Sequence, residues 1–515
     1  MTAGNPLPSP RQRRGASATR SSSSPEGLMA SPDRAFVARA AAVALAALLV
    51  YLALGQNLMH GFDAFYYLRD VDQGELHHPR FAFYLPVAYA FAKVLAVVGV
   101  RDYEALRALS SLAAAAGVFC VQLAALRLGF DRTRASVCGI AVAALPAVMY
   151  TASVVEVDAV LFACACASWL PFARLVTGGG ARAAAMTGVA TAIAAGFHAS
   201  GHLLALTLCG FCALWDWPRR PLLRSSLHAA VVLAVHLALA TAIAIAFGIE
   251  EQGDMATNTV GHAFPLDFVP HIALHEWIFA YAPIGVLALL VLRTRRDLGA
   301  GIAFTACLCG YIFVSTKILG YQRYASDFLT QGNIVERGSF LLALAVPMAL
   351  LTVKALPVRL LWIAVAASAI SGFWQIRAHD WPTDPEGTEH GVAAALARGP
   401  IDLFAESTQE WAEVVRRHPQ IRCTLLGEVV VTVAAARARD ASVVTPEIVL
   451  LWFAMEYDRA VQRGAQYVVT QRALAAMQAA RDPAIAQAAE RLPQLYAMEP
   501  AAANSAFAAF RLVRK

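Results

Sequence analysis

The strongest constraint on this chain is a succession of apolar runs long enough to cross a bilayer, separated by short clusters of arginine. Windows of that length occur near residues 35–55, 108–126, 135–152, 157–173, 226–248, 276–292, 298–316, 338–353 and 360–374. Residues 183–215 form a longer apolar run broken by Gly196, His198, Ser200, Gly201 and His202, and read as two short spans joined by a tight polar turn. With 58% hydrophobic and 15% charged residues in a chain of 515, and a mean hydropathy of +0.54, packing in water alone is excluded. The chain is therefore expected to be a multi-span α-helical membrane protein.

Charge decides which side each loop faces. Cationic clusters lie at Arg11–Arg34, Arg127–Arg134, Arg174–Arg182, Arg219–Arg224, Arg293–Arg296 and Lys354–Arg359, and the positive-inside rule puts all of them in the cytoplasm. The stretches between them carry acids and histidines instead, such as Glu156 and Asp158, then His198 and His202, then Glu250 through Glu276. Parity holds if segment 82–100, with Pro86 and Lys93 among spaced aromatics, is an interfacial or re-entrant helix. That gives about 11 spans, a cytoplasmic N-terminus and an external C-terminus. Residues 1–34, rich in Ser, Pro and Arg, read as a disordered cytoplasmic tail, and the run after it as an uncleaved anchor. Residues 35–374 form the membrane domain, with a large first external loop at 56–104, and the protein is expected in the cell inner or plasma membrane.

Beyond Trp374 charges balance and apolar runs shorten to strand length, so 375–515 reads as a small external α/β domain with an accessory or acceptor-facing role. Strands are predicted at Ile401–Ala405, Ile421–Leu426, Ala465–Thr470 and Ala506–Val513, with helices at Ser407–Arg417 and near 446–463 and 471–490. It holds no Gly-rich phosphate loop, nucleophile elbow or Cys/His metal spacing. A net charge of +6 without one basic face argues against nucleic acid as a partner. Eight of the nine cysteines lie inside apolar runs, where small soft residues pack without needing a metal.

The polar residues that could do chemistry gather outside. The first external loop crowds His60, Asp63, Asp70, Asp72, Glu75, His77, His78, Arg69 and Arg80 against a membrane surface. Asp63, flanked by Phe62, Phe65 and Tyr66, is the first candidate for a general base, because partial desolvation raises a carboxyl pKa. Glu156 and Asp158 could bind a cation, orient a hydroxyl, or simply form a polar first turn favoured by the helix dipole. His198 and His202 lack a third ligand nearby in sequence, which favours hydrogen bonding to a phosphate or sugar over zinc. Arg323 and Arg337 sit in an external loop, where a substrate phosphate or membrane lipid headgroups would account for them. No set of residues marks a cofactor or metal, and a divalent cation has no further support.

Taken together these residues resemble the GT-C superfamily of membrane glycosyltransferases, in its protein O-mannosyltransferase-like branch. The resemblance rests on Phe62-Asp63-Ala64, on His78-Pro79-Arg80-Phe81 beside the family's His-Pro-Pro-Gly stretch, on Val155-Glu156-Val157-Asp158 after Pro146, and on the turn Gly196 to His202. The chain departs from the pattern at Arg80-Phe81, and at Ala64 in place of a paired acid. The resemblance implies a GT-C-like fold and a sugar donor carried on polyprenyl phosphate. It further implies transfer on the external face to a protein, lipid or glycan acceptor. By it Asp63 would be the base, and Glu156 or Asp158 would help position substrate. A transporter or flippase of lipid-linked sugars, or a non-catalytic membrane assembly protein, is the alternative, although no internal repeat of the transporter kind is visible.

Overall fold

The computed structural model describes residues 33–55, 62–78, 81–215, 222–249, 264, 266, 269–295, 297–325, 341–379, 399–405, 420–427, 429–430, 433, 436, 444–480, 482–503 and 508–515. The predicted helix at Ser407–Arg417 lies outside them.

Among the described residues the membrane domain is mainly helical. Its elements are α1 (Arg34–Ala53), α2 (Phe62–Gln73), α3 (Tyr84–Ala96), α4 (Asp102–Arg127), α5 (Arg132–Ala143), α6 (Pro146–Ser153), α7 (Val157–Arg174), α8 (Gly180–Phe197), α9 (Ser200–Leu214), α10 (Leu222–Phe247), α11 (Leu298–Ala325), α12 (Ala345–Ala355) and α13 (Val358–His379). Among the described residues six helical stretches are long and apolar enough to cross a membrane, or seven if the bent pair α5–α6 is one span. The shorter apolar helices Ser200–Leu214, Ile284–Arg293 and Leu341–Ala355 occupy windows where further passes were predicted.

The 41-residue stretch Val157–Phe197 is two passes, because α7 and α8 turn back on each other through the π-helical turn Leu175–Gly179 and pack together. The predicted break in 183–215 is present, with α8 ending at Phe197 and α9 starting at Ser200. Window 135–152 is not one straight helix: Pro146 restarts it as α6, bent 62° from α5. Helix α3, with 13 residues, is only about 20 Å long at 1.5 Å per residue, short of a hydrocarbon core. It lies against α2 and α4. Between α10 and α11 the described residues include a π-helical turn at Ala273–Phe279 and a 3-10 stretch at Ala288–Arg293.

Helix α4 is the central post, packed on α7, α5 and α1, while α10 packs on α8 and α9. Between lipid-embedded helices there is no water to expel, so close packing of small residues and buried hydrogen bonds hold the bundle. Ala184, Thr187, Ala192 and Ala195 of α8 are all buried, and Gln122 of α4 donates to the Ala40 carbonyl of α1 at 3.1 Å. At the end opposite the predicted external loops, Lys354 pairs with Asp297 at 3.0 Å and lies 4.6 Å over the Trp215 ring.

The C-terminal domain carries a five-stranded sheet in the order β2-β1-β3-β5-β4, made of β1 (Ile401–Ala405), β2 (Ile421–Leu425), β3 (Gln466–Thr470), β4 (Tyr496–Ala503) and β5 (Ala508–Arg514). Strands β1, β2 and β3 are parallel, and β5 and β4 add antiparallel. Three helices accompany it, α14 (Pro446–Gln462), α15 (Gln471–Gln478) and α16 (Pro483–Leu495). The single helix expected at 471–490 is two, because Asp482 caps Ala484 N–H at 2.9 Å and Pro483 opens a new helix.

Alternation along the strands assigns their two faces. Ile401, Leu403 and Ala405 of β1, with Ile421, Cys423 and Val468, join an apolar cluster that also holds Tyr67 and Val71 of α2 and Leu85 of α3. Phe404, Tyr467 and Val469 point the other way, into the cluster closed by α14, α15 and α16. The sheet is thus sandwiched between its own helices and the shoulder of the membrane domain.

Candidate functional site

The loop predicted to be the first external one is helical over Phe62–Gln73. Asp63 stands in the first turn of α2, its side chain outside the described residues, and the adjacent Ala64 is fully buried. Ala64, Tyr67 and Val71 share one apolar cluster with Val155 and Val157, the residues on either side of Glu156. Helix α2, which carries Asp63, and the turn that carries Glu156 thus contribute residues to the same apolar cluster.

Glu156 is extended and caps α7 with its backbone, and Asp158 lies in the helix's first turn, where the dipole favours an anion. Ser110 of α4 clamps the Glu156 peptide from both sides: Glu156 N–H donates to Ser110 Oγ at 3.3 Å, and that hydroxyl donates to the Glu156 carbonyl at 3.4 Å. Beside these acids the phenol of Tyr84, fully buried, has no hydrogen-bond partner among the described residues. Burial pushes this phenol up, and the charges of Glu156 and Asp158 push it the same way. A buried O–H left open beside two carboxylates calls for an explanation in function or a bound molecule. Glu276, wholly buried, and Asp158 both lie within electrostatic reach of Tyr281.

The histidines are arranged by aromatic stacking. Phe81 N–H donates to the His78 carbonyl at 3.3 Å, and the two rings stack with centroids 4.6 Å apart. Phe81 also stacks on His198 at 5.5 Å, so His78 and His198 meet through it. Two backbone bonds fix this junction, from Ala82 and Phe83 N–H to the Gly196 carbonyl at 2.9 and 3.1 Å. Gly196 is needed there, since a Cβ would fall 2.3 Å from the Phe83 ring. Ser200 N–H donates to His198 Nδ1 at 3.1 Å, so the neutral ring carries its proton on Nε2.

His202 is turned toward α10, with Nδ1 2.9 Å from His236 Nε2, and His236 Nδ1 in turn lies 3.1 Å from Thr191 Oγ1. On α2 Asp70 has the desolvated character sought for Asp63: burial pushes its carboxyl up, and Arg69 at 3.3 Å pulls it part of the way back. Arg80 and Arg337 lie outside the described residues, and Arg323 is placed only as a helical backbone position near the end of α11. Among the described residues no three His, Cys, Asp or Glu side chains converge as a metal site.

Ser110, Tyr84 and His236 were not singled out from sequence. Tyr84 carries a weak signal there, an aromatic at the edge of an apolar run, whereas Ser110 and His236 find their hydrogen-bond partners only across to other parts of the chain.

No protein-family model matches the chain, and no curated protein matches it in sequence. The solved structure of ArnT from Cupriavidus metallidurans bound to undecaprenyl phosphate superposes with a TM-score of 0.54 at 14% identity, covering 93% of this chain and 98% of that one. Arabinofuranosyltransferase AftD from Mycobacteria aligns with a TM-score of 0.45 and 13% identity over 95% of this chain and 40% of that one. The Archaeoglobus fulgidus oligosaccharyltransferase in complex with Zn and sulfate aligns at 0.43 and 11% identity, over 74% and 62%. The ArnT superposition carries the structural assignment. This chain has the GT-C fold, a multi-pass membrane domain followed by a small α/β domain. The superposition does not single out the O-mannosyltransferase-like branch.

Proposed function

We propose that this chain is a membrane glycosyltransferase that moves a hexose or mannose-like sugar from a polyprenyl-phosphate donor to an acceptor hydroxyl on the external face. The observation that supports the proposal is that α2, with Asp63 in its first turn, and the Glu156 turn both contribute to one apolar cluster in a GT-C-like fold.

In the proposed reaction Asp63 takes the proton of the acceptor hydroxyl, whose oxygen attacks the anomeric carbon of the donor sugar. The bond from that carbon to the phosphate oxygen breaks, polyprenyl phosphate leaves, and the linkage is inverted. Glu156 and Asp158, with the peptide of Glu156 held by Ser110, orient the sugar hydroxyls. His78 and His198, fixed through Phe81, donate to the sugar or phosphate, and His202 is set in place by His236. Arg80, Arg323 and Arg337 meet the phosphate charge. The reaction needs the N-terminus in the cytoplasm and the C-terminal domain outside.

The test is transfer in membranes from radiolabelled polyprenyl-phosphate sugars by wild type and Asp63→Asn, with folding checked in both. Transfer by the wild type that vanishes in the variant supports the proposal. Equal transfer by both, or none from a folded wild type across a broad donor panel, would overturn it.

A further inference from the structure

A cavity of about 870 Å³ opens between the membrane shoulder and the edge of the C-terminal sheet. Glu156, Asp158, His78 and His198 do not line it. One wall is the C-terminal half of α2 with the start of α4, and the other is β2 with the end of α14. Asp72 on the first wall follows Asp63 by nine residues, about 14 Å along the same helix at 1.5 Å per residue.

Its chemistry narrows the ligand. Among the described residues five arginines line it, from Arg69 and Arg101 on one wall to Arg422, Arg459 and Arg463 on the other, and six carboxylates balance them. A site for a polyanion would leave cations in excess, and this one does not. Asp402, only 5% exposed, is held by Arg463, and Arg459 is held by Glu456 at 2.5 Å, so donors and acceptors stand fixed and interleaved. A hydroxyl both donates and accepts, and a surface of alternating carboxylates and guanidinium groups satisfies it in both roles. Trp452, half-buried on the second wall, adds an apolar ring surface against which the C–H face of a pyranose packs. The volume lies near the top of the range of about 300–1,000 Å³ typical of small-molecule sites, more than one sugar ring requires.

We infer that this cavity binds an uncharged oligosaccharide, the growing end of a glycan acceptor whose terminal hydroxyl reaches Asp63 along α2. The inference rests on the transferase reading for its acceptor role, while the binding itself does not.

The experiment is calorimetric titration of the full chain in detergent with neutral linear tetrasaccharides of mannose, glucose and arabinose, and with a tetrauronic acid. Arg422 and Asp72 are both exposed, so Arg422→Ala and Asp72→Ala leave the fold intact, which thermal unfolding checks. Expected is saturable binding of at least one neutral tetrasaccharide, weakened about ten-fold in each variant, as losing about 1.4 kcal/mol of hydrogen bonding predicts. No saturable binding, tighter binding of the uronic acid, or unchanged affinity in both variants would overturn the inference. Binding without transfer from any donor leaves the cavity standing and removes the transferase reading; transfer without such binding does the reverse.

Discussion

Phe81 stacks on His198 with ring centroids 5.5 Å apart, joining the segment between α2 and α3 to the turn between α8 and α9. Because Phe81 also stacks on His78, this one ring sets the relative position of two histidines that come from different hairpins. Phe81→Leu keeps an apolar side chain but removes both stacked contacts, each worth about 0.5–1.5 kcal/mol. We expect a small fall in thermal stability and a larger fall in kcat/KM for transfer. A variant with wild-type kcat/KM would show that the stack serves only packing.

The same turn depends on two glycines of unequal tolerance. A Cβ at Gly201 would lie 2.2 Å from the backbone nitrogen of Ala195, which cannot turn aside, whereas at Gly196 it would meet the edge of the Phe83 ring at 2.3 Å. A ring can give where backbone cannot, although Phe83 is also held by Phe197 and Phe247. Gly196→Ala should cost about 1–3 kcal/mol, and Gly201→Ala more than that. Melting temperatures in detergent rank the two, and the opposite order would contradict this account.

The C-terminal domain should respond to pH through Asp402. Burial pushes its carboxyl up, and Arg463 and Arg422 offset this only in part. A raised carboxyl binds its proton more tightly folded than unfolded, so its contribution is complete below the unfolded pKa and is lost as pH rises through the folded one. Asp402→Asn, always neutral, should therefore gain on the wild type as pH climbs through that window. Hydrogen exchange at the β1 amides measures the gap, which would have to narrow with rising pH for the assignment to fail.

Orientation is open to direct measurement. An alkaline phosphatase reporter, active only outside the cytoplasm, should be active when fused after Lys515 and inactive when fused at the tip of the α7–α8 hairpin. The reverse pattern would place the acidic turn of Glu156 on the cytoplasmic side and end the external-transfer proposal.

Much of the architecture was legible because its signals are local. Span length, the arginine clusters and the run of Gly and His between α8 and α9 each announce themselves within a few residues. Strand β1 was equally clear, being a short apolar run bounded by a proline. Strand β4 was missed because Tyr496–Ala503 holds Pro500 and several alanines with no β-branched residue, and is extended by its pairing with β5. The bend after α5 was missed because Pro146 sits inside an otherwise continuous apolar window. The motifs pointed to Asp63, His78, Glu156 and His198 as candidates, but not to the Ser110 clamp or the His202–His236 pair. Those arise only when helices from separate stretches pack, and nothing at either position marks its partner.

The apolar cluster shared by α2, α3 and the inner face of the sheet bears on how this protein fails. A nonsense mutation or a protease cut before β1 would not remove an appendage. It would strip the cover from Tyr67, Val71 and Leu85 and leave their apolar surface exposed. Damage confined to the last quarter of the chain would thus register at the membrane end, as aggregation and clearance of the whole polypeptide.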